Sequence, residues 1–219
     1  MYDLIVRNGT VIDGTGRERF NADVAIADGK IVKIGEIAES AEQEIDATGK
    51  LVTPGWVDIH THYDGQATWD PLLAPSSWHG VTTVVMGNCG VGFAPVKPEH
   101  QNFLIELMEG VEDIPGAALS EGIDWQWESF PEYLDALDGV PRAIDVATQV
   151  PHGAIRAYVM GKRCNTDYAP TQAEVDEMAR LVREGVEAGA LGFSSSKTLL
   201  HKDVHGEYMP GTFQVTMRC

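Results

Sequence analysis

Pro54-Gly55-Trp56-Val57-Asp58-Ile59-His60-Thr61-His62 is where this sequence changes character. A Pro-Gly turn opens the stretch, a short apolar run (Trp56, Val57, Ile59) follows, and two histidines stand at i and i+2. Side chains of an extended strand alternate between faces, so His60 and His62 are expected on the same face. Two imidazoles at one strand end can grip a metal, as a catalytic zinc site requires. A polar strand end whose histidines only hydrogen-bond is the plainer alternative. Asp58 shares their parity and is expected to point inward, where it would orient an imidazole by accepting its other N–H. Buried without such a partner, it would be costly.

Before this stretch the chain reads as β hairpins. Short strands are expected over 3–12, 21–28 and 30–36, with turn signals at Asn8-Gly9, Asp13-Gly14 and Asp28-Gly29. Glu44–Ala47 and Gly49–Val52 add one more. Residues 1–54 thus form a small antiparallel β module, too small to bury much core alone. After Pro54-Gly55, β-like runs alternate with helical segments. Strands are expected at Trp56–His62, Val81–Met86, Ile144–Val150 and Gly189–Ser196. Helices are expected at Glu99–Gly110 and Phe130–Leu137, the latter capped by Ser129 with Glu132 three residues on. Thr171 caps a longer amphipathic helix, with Glu174 in the capping-box position and an apolar stripe of Val175, Met178, Ala179, Leu181, Val182 and Val186. Strand, helix, strand, helix points to parallel βα units and an α/β fold. Four such units over residues 55–219 make the first half of a (β/α)8 (TIM) barrel, since a whole barrel takes about 250 residues. A complete doubly wound sheet is the alternative.

The totals bound the function. The chain has 219 residues, 43% hydrophobic and 22% charged, which describes a globular protein. No apolar run approaches the ~18 residues of a membrane span, and the N-terminus lacks the basic and apolar regions of a signal peptide. Cys89, Cys164 and Cys219 are too few and odd in number for a disulfide framework, which fits a reducing cytoplasm. A net charge of −17 disfavours nucleic acid and anionic membrane as partners.

The second expected strand runs into Met86-Gly87-Asn88-Cys89-Gly90. A cysteine between glycines at the C-terminal end of a parallel strand sits where barrel active sites are built. Alone it would be a small buried hydrophobe. Following His-x-His on the preceding strand, it is a thiolate donor suited to zinc. Other candidates keep two readings. Arg156 could clamp a carboxylate bidentately or be a surface arginine. Ser194 and Ser196 could bind a substrate carboxylate or form turns. Lys197 could bridge two metals, contact substrate or be a solvated loop residue. His152 follows strand three. His201 and His205, in a loop with Gly206 and Pro210, read as solvent-facing. His79, before strand two, reads as structural.

The small β module, Val52-Thr53-Pro54-Gly55-Trp56-Val57-Asp58-Ile59-His60-Thr61-His62, Gly80-Val81-Thr82-Thr83 and Gly87-Asn88-Cys89-Gly90 together resemble the amidohydrolase superfamily. The cysteine after strand two is similar to that of its N-acyl-D-amino-acid deacylase (D-aminoacylase) branch. The resemblance runs from residue 2 to about 213. It implies a metal-dependent barrel and a β-sandwich completed from both chain ends. It also implies one tight zinc held by Cys89 with histidines of strands five and six, and a second, weaker position at His60 and His62. A strand-eight aspartate would be the acid/base. Those last residues are expected beyond residue 219, and Gln214–Cys219 do not resemble the next helix of the family. The implied activity of the full-length parent is zinc-dependent hydrolysis of an N-acyl-D-amino acid or related small-molecule amide. The alternative for the parent is a cyclic-amide hydrolase of the dihydropyrimidinase kind, and the 219-residue chain by itself is expected to be a truncated, catalytically inactive fragment.

Overall fold

A computed structural model describes residues 1–165 and 169–213, so the expectations for Gln214–Cys219 lie outside the described residues. The chain divides into two compact units, Met1–Gly55 and Trp56–Cys219.

In the first unit, β1 (Tyr2–Val11), β2 (Phe20–Ala27), β3 (Lys30–Gly35), β4 (Ala41–Asp46) and β5 (Leu51–Val52) form one sheet. The path is β3-β2-β1-β4, with β5 also on β1. Asp28 and Gly29, both at positive φ (52° and 70°), make the expected hairpin between β2 and β3. One expectation is corrected. The module is mixed rather than antiparallel, because β4 and β5 run parallel to β1. Its described residues form a single sheet. Asn8-Gly9 does not turn the chain either: it is a bulge inside β1, with Asn8 at φ 59° and its N–H donating to Asp23 Oδ1 at 2.8 Å. Arg7 ties the sheet across strands, meeting Asp23 at 3.1 Å and Glu44 at 2.7 Å.

In the second unit, β6 (Trp56–Asp58), β7 (Val81–Met86) and β8 (Asp145–Thr148) are parallel neighbours in that order. β9 (Val150–Pro151) pairs in parallel with β10 (Phe193–Ser194). The helices are α1 (Gln101–Glu112), α2 (Gly116–Gly122), α3 (Phe130–Asp138), α4 (His152–Met160) and α5 (Gln172–Ala188). Parallel pairing demands crossovers, and α1–α3 supply the one from β7 to β8, α4 and α5 the one from β9 to β10. Both expected capping boxes form. Ser129 N–H donates to Glu132 Oε2 at 2.8 Å, and Thr171 N–H to Glu174 Oε2 at 2.7 Å.

The core gathers Val84 and Met86 of β7, Leu104 and Met108 of α1, and Val150 and Met178 under α5. Of the stripe expected on α5, Met178 and Leu181 are buried, while Val186 is 44% exposed. Gly185 takes the packed position, where a Cβ would come within 2.6 Å of Val150. The helix expected from Glu99 starts two residues later, because Pro98–His100 forms a 3-10 turn, and it runs on to Glu112. Helix α2 was not anticipated. The strand expected to reach His62 stops at Asp58, and the expected third and fourth strands are shorter than their apolar runs. Among the described residues no helix is long and apolar enough to cross a membrane.

Candidate metal centre

Although β6 ends before the histidines, the segment carrying them stays fastened to β7. The Thr61 N–H and hydroxyl both donate to Val85 O, at 2.9 and 2.8 Å. The buried Asn88 side chain donates to Thr61 O at 3.1 Å and Val85 O at 2.9 Å, and its own oxygen accepts from Gln149 at 2.8 Å. One amide thus joins three consecutive segments of the sheet.

Beyond β7 the chain turns sharply through left-handed conformations, with Gly87 at φ 72° and Cys89 at φ 54°. Gly87 is required twice over: its φ favours glycine, and a Cβ there would run into the Gln149 backbone oxygen. Ser194 of β10 locks this turn from the other side. Its hydroxyl accepts from Gly90 N–H at 3.0 Å and donates to Gly87 O in a short bond. Ser194 is buried, and these two bonds make it a tie that holds the cysteine turn.

The turn brings Cys89 Sγ to 3.3 Å from His60 Nε2, and the rings of His60 and His62 lie 5.4 Å apart. One ligand atom each of His60, His62 and Cys89 falls within 4.8 Å of the others. The donor set of two imidazoles and one thiolate is one that zinc favours. His62 adds a second sign of fit: its buried Nδ1 has no hydrogen-bond partner among the described residues. Burial, then the positive potential of His60 and His201, pushes the His62 pKa down to about 4. It is therefore the neutral imidazole a metal needs. Burial and the nearby Glu112 and Asp64 carboxylates raise the Cys89 thiol above its usual range, a bias that a bound cation reverses.

Asp58 does not reach an imidazole: its Oδ1 accepts from the His60 backbone N–H at 3.3 Å. The group that does reach one is Glu112, whose Oε1 lies 3.1 Å from His62 Nε2. It stands in the last turn of α1, fifty positions along the chain from His62, and no pattern in the sequence singles it out. Asp64 was missed as well. It is 1% exposed, and burial lifts its pKa to about 8.

His201, expected to face solvent, is instead half-buried at the centre. Its Nδ1 lies 3.0 Å from Ser196 Oγ, and it groups with Cys89 and Glu112 within 4.8 Å. Ser196 therefore holds an imidazole. His205 does face solvent, 3.5 Å from Glu106, and His79 is exposed at the end of a 3-10 turn. Lys197 is exposed, close enough to His152 to help depress its pKa. Arg156 is not a surface residue. It is 1% exposed within α4, and its Nε and Nη2 have no hydrogen-bond partner among the described residues. That helix buries seven of its nine residues, which leaves Arg156 no path outward.

His152 is buried beside it, with Nδ1 2.9 Å from Ser195 Oγ. Burial, then the Arg156 and Lys197 charges, pushes its pKa down to about 4 from 6.5. Between those values the unfolded chain binds a proton that the folded chain refuses. Stability therefore falls as pH drops from about 6.5 to about 4, and levels off below. The gap is worth on the order of 3 kcal/mol. His62 titrates in parallel, while the raised Asp64 carboxyl opposes both over the same range, so His152→Gln is expected to change the slope of stability against pH between about 4 and 6.5 by about one proton. Urea unfolding across that pH range measures it, and an unchanged slope would remove His152 as a source.

Known proteins share much of this centre's sequence and fold. A model of the amidohydrolase family matches residues 43–211. The D-aminoacylase of Alcaligenes xylosoxydans xylosoxydans is 35% identical over 195 residues, covering 89% of this chain and 37% of that protein. A solved D-aminoacylase, described by a binuclear metal centre with one-metal activation and second-metal attenuation, superposes with a TM-score of 0.72. It is 34% identical, over 89% of this chain and 38% of its own. The N-acyl-D-glutamate deacylase of Bordetella bronchiseptica, solved with zinc and a phosphonate mimic of the tetrahedral intermediate, superposes at 0.69. It is 35% identical over the same shares. The chain spans a little over a third of the length of these relatives.

Proposed function

The chain belongs to the amidohydrolase family, and from that premise we propose that it forms the metal-holding part of a zinc-dependent hydrolase of N-acyl-D-amino acids. In this reading β6, β7, β8 with β9, and β10 are the first four strands of a (β/α)8 barrel. The observation that carries it is the approach of Cys89 Sγ to His60 Nε2, 3.3 Å apart at the ends of adjacent parallel strands. That is where barrel enzymes place their chemistry.

His60, His62 and Cys89 are proposed to hold the zinc. When bound, such an ion supplies Lewis acidity for polarising an amide carbonyl and acidifying a water. The chain's other residues prepare for it. Asn88 and Thr61 fix the histidine segment, Gly87 and Ser194 fix the cysteine turn, and Glu112 orients His62 through Nε2. Burial keeps His62 neutral, so at that ligand the ion competes with no proton at physiological pH. Proton delivery to the leaving amine is assigned to no described residue.

The test is amino-acid release from N-acetyl-D-amino acids by the zinc-loaded protein, beside the L enantiomers and a cyclic amide such as dihydrouracil. D-selective release is expected. Preferential ring opening would favour the cyclic-amide reading instead. With zinc bound and no release from any substrate, the chain would be a metal-binding unit without catalysis of its own.

A further inference from the structure

We propose that Ser195, oriented by His152 behind it and backed by the charge of Lys197, receives the carboxylate of an N-acyl amino acid. The inference rests on the reading of the chain as part of an N-acyl-amino-acid hydrolase, and it deepens that reading by assigning the carboxylate subsite.

Ser195 follows β10 directly and is exposed. Its backbone presses on the cysteine turn: a Cβ on Gly90, the residue after Cys89, would sit 3.2 Å from Ser195 Cα. In an N-acyl amino acid only the amide nitrogen and the α-carbon separate the carbonyl carbon from the carboxylate. The two groups therefore need receptors that are close neighbours, as Cys89 and Ser195 are.

His152 decides which way the Ser195 hydroxyl proton points. The ring is buried and rests against Phe193, with 5.3 Å between ring centres. Gly211 closes over its edge, where a Cβ would collide with Cε1. Nδ1 lies 2.9 Å from Ser195 Oγ, while the buried Nε2 has no hydrogen-bond partner among the described residues. The imidazole is neutral, so one nitrogen carries a proton and the other a lone pair. Buried N–H groups are rarely left without an acceptor, which puts the proton on Nδ1. Nδ1–H then donates to Oγ, and the Ser195 hydroxyl keeps its own proton for an acceptor outside. A hydroxyl polarised in this way suits an anionic oxygen. Lys197, exposed two residues on, adds positive charge on the same side, close enough to be felt at His152. Arg156, buried one turn along α4, adds more. The competing account reverses the bond: Ser195 donates to Nδ1, and the pair only fastens the end of β10 to α4.

Calorimetric titration of the zinc-loaded 219-residue chain separates these accounts. The probes are N-methylsulfonyl-D-leucine, a sulfonamide that resists hydrolysis, and its primary carboxamide. The carboxylate ligand is expected to bind ~10-fold tighter than the carboxamide, the value of one charge-assisted hydrogen bond. Ser195→Ala should remove that preference and leave the carboxamide's affinity unchanged. His152→Phe keeps the ring's bulk and should cost the carboxylate ligand several-fold. Because His152 acts through Ser195, the double variant should bind no worse than Ser195→Ala alone. Lys197→Met should weaken the same ligand, with the loss shrinking as salt is raised. Nitrogen NMR of the His152 ring should show the proton on Nδ1. Should His152→Phe misfold, Ser195→Ala carries the test from its exposed position. Equal affinity for the two ligands, no binding of the carboxylate ligand, a preference that survives Ser195→Ala, or a proton on Nε2 overturns the subsite. D-selective release beside any of these results leaves the hydrolase reading standing. A preference lost in Ser195→Ala, with no release from any substrate, supports the subsite and removes the catalysis.

Discussion

Replacing Cys89 with serine is expected to weaken zinc binding by ~100-fold or more, the largest effect of any single change at this centre. Removing a mere orienting partner of a metal ligand already costs about 10–100-fold. Cys89 is proposed as a direct donor and is the only sulfur in its group with His60 and His62. Without it that proposed position keeps two protein donors, fewer than the three that catalytic zinc sites use. Competition with a chromophoric chelator measures the affinity. The cobalt-substituted protein should lose its sulfur-to-metal charge-transfer absorption in the same variant. Lys197→Ala is the control, since a lysine in that region would replace the cysteine as bridging group if the centre were of the carboxylated-lysine kind. Tight zinc in Cys89→Ser together with its loss in Lys197→Ala would reverse the assignment.

The second large effect is on stability. Gly87→Ala should lower the unfolding free energy by on the order of 3 kcal/mol, the sum of two costs. An L side chain at φ 72° is strained by roughly 1–2 kcal/mol. Its Cβ would also be forced against the Gln149 backbone and to 2.9 Å from Thr148 Oγ1. Overpacking of that kind adds about 1–3 kcal/mol, because paired strands cannot step aside. Gly80→Ala calibrates the first cost alone. It lies in the same unit at φ 82°, yet a Cβ there would meet nothing nearer than Trp56 Cδ1 at 3.5 Å. The comparison is the urea midpoint of the two variants. If Gly87→Ala proves no worse than Gly80→Ala, close packing of the turn against β8 and Gln149 is not what the glycine provides.

Much of the fold follows from local chemistry. Ser129 with Glu132, and Thr171 with Glu174, mark helix starts because each pair satisfies backbone donors within three residues, whatever lies around them. Asp28-Gly29 makes its hairpin for a similar reason, since both residues tolerate positive φ. Asn8-Gly9 carries the same signal and becomes a bulge, because β1 continues into pairing with β5. A turn dipeptide specifies dihedral angles; which partner strand is waiting decides whether the chain reverses. The end of β6 is another such case, where tertiary ties from Thr61 and Asn88, rather than strand pairing, hold the histidines.

For the metal centre the division is similar. His60, His62 and Cys89 were legible as metal-binding candidates because parallel strands bring successive strand ends together, so a motif at one end and a motif at the next become neighbours. The companions of that trio were not. Glu112 reaches His62 only because α1 runs two residues past Gly110. His201 arrives only because Gly110 admits a loop backbone where any larger residue would exclude it. Ser194, Ser196 and Arg156 were plausible substrate contacts by residue type; packing made the first a tie for the cysteine turn and the second a support for His201, and buried the third. The sequence by itself determined most of the elements, the order of the parallel units and the first three candidate ligands, since those depend on short-range dihedral preference and on strand period. The tertiary structure alone decided which carboxylate and which further histidine face that metal centre, since contacts between residues fifty or a hundred positions apart depend on how closely two backbones can approach.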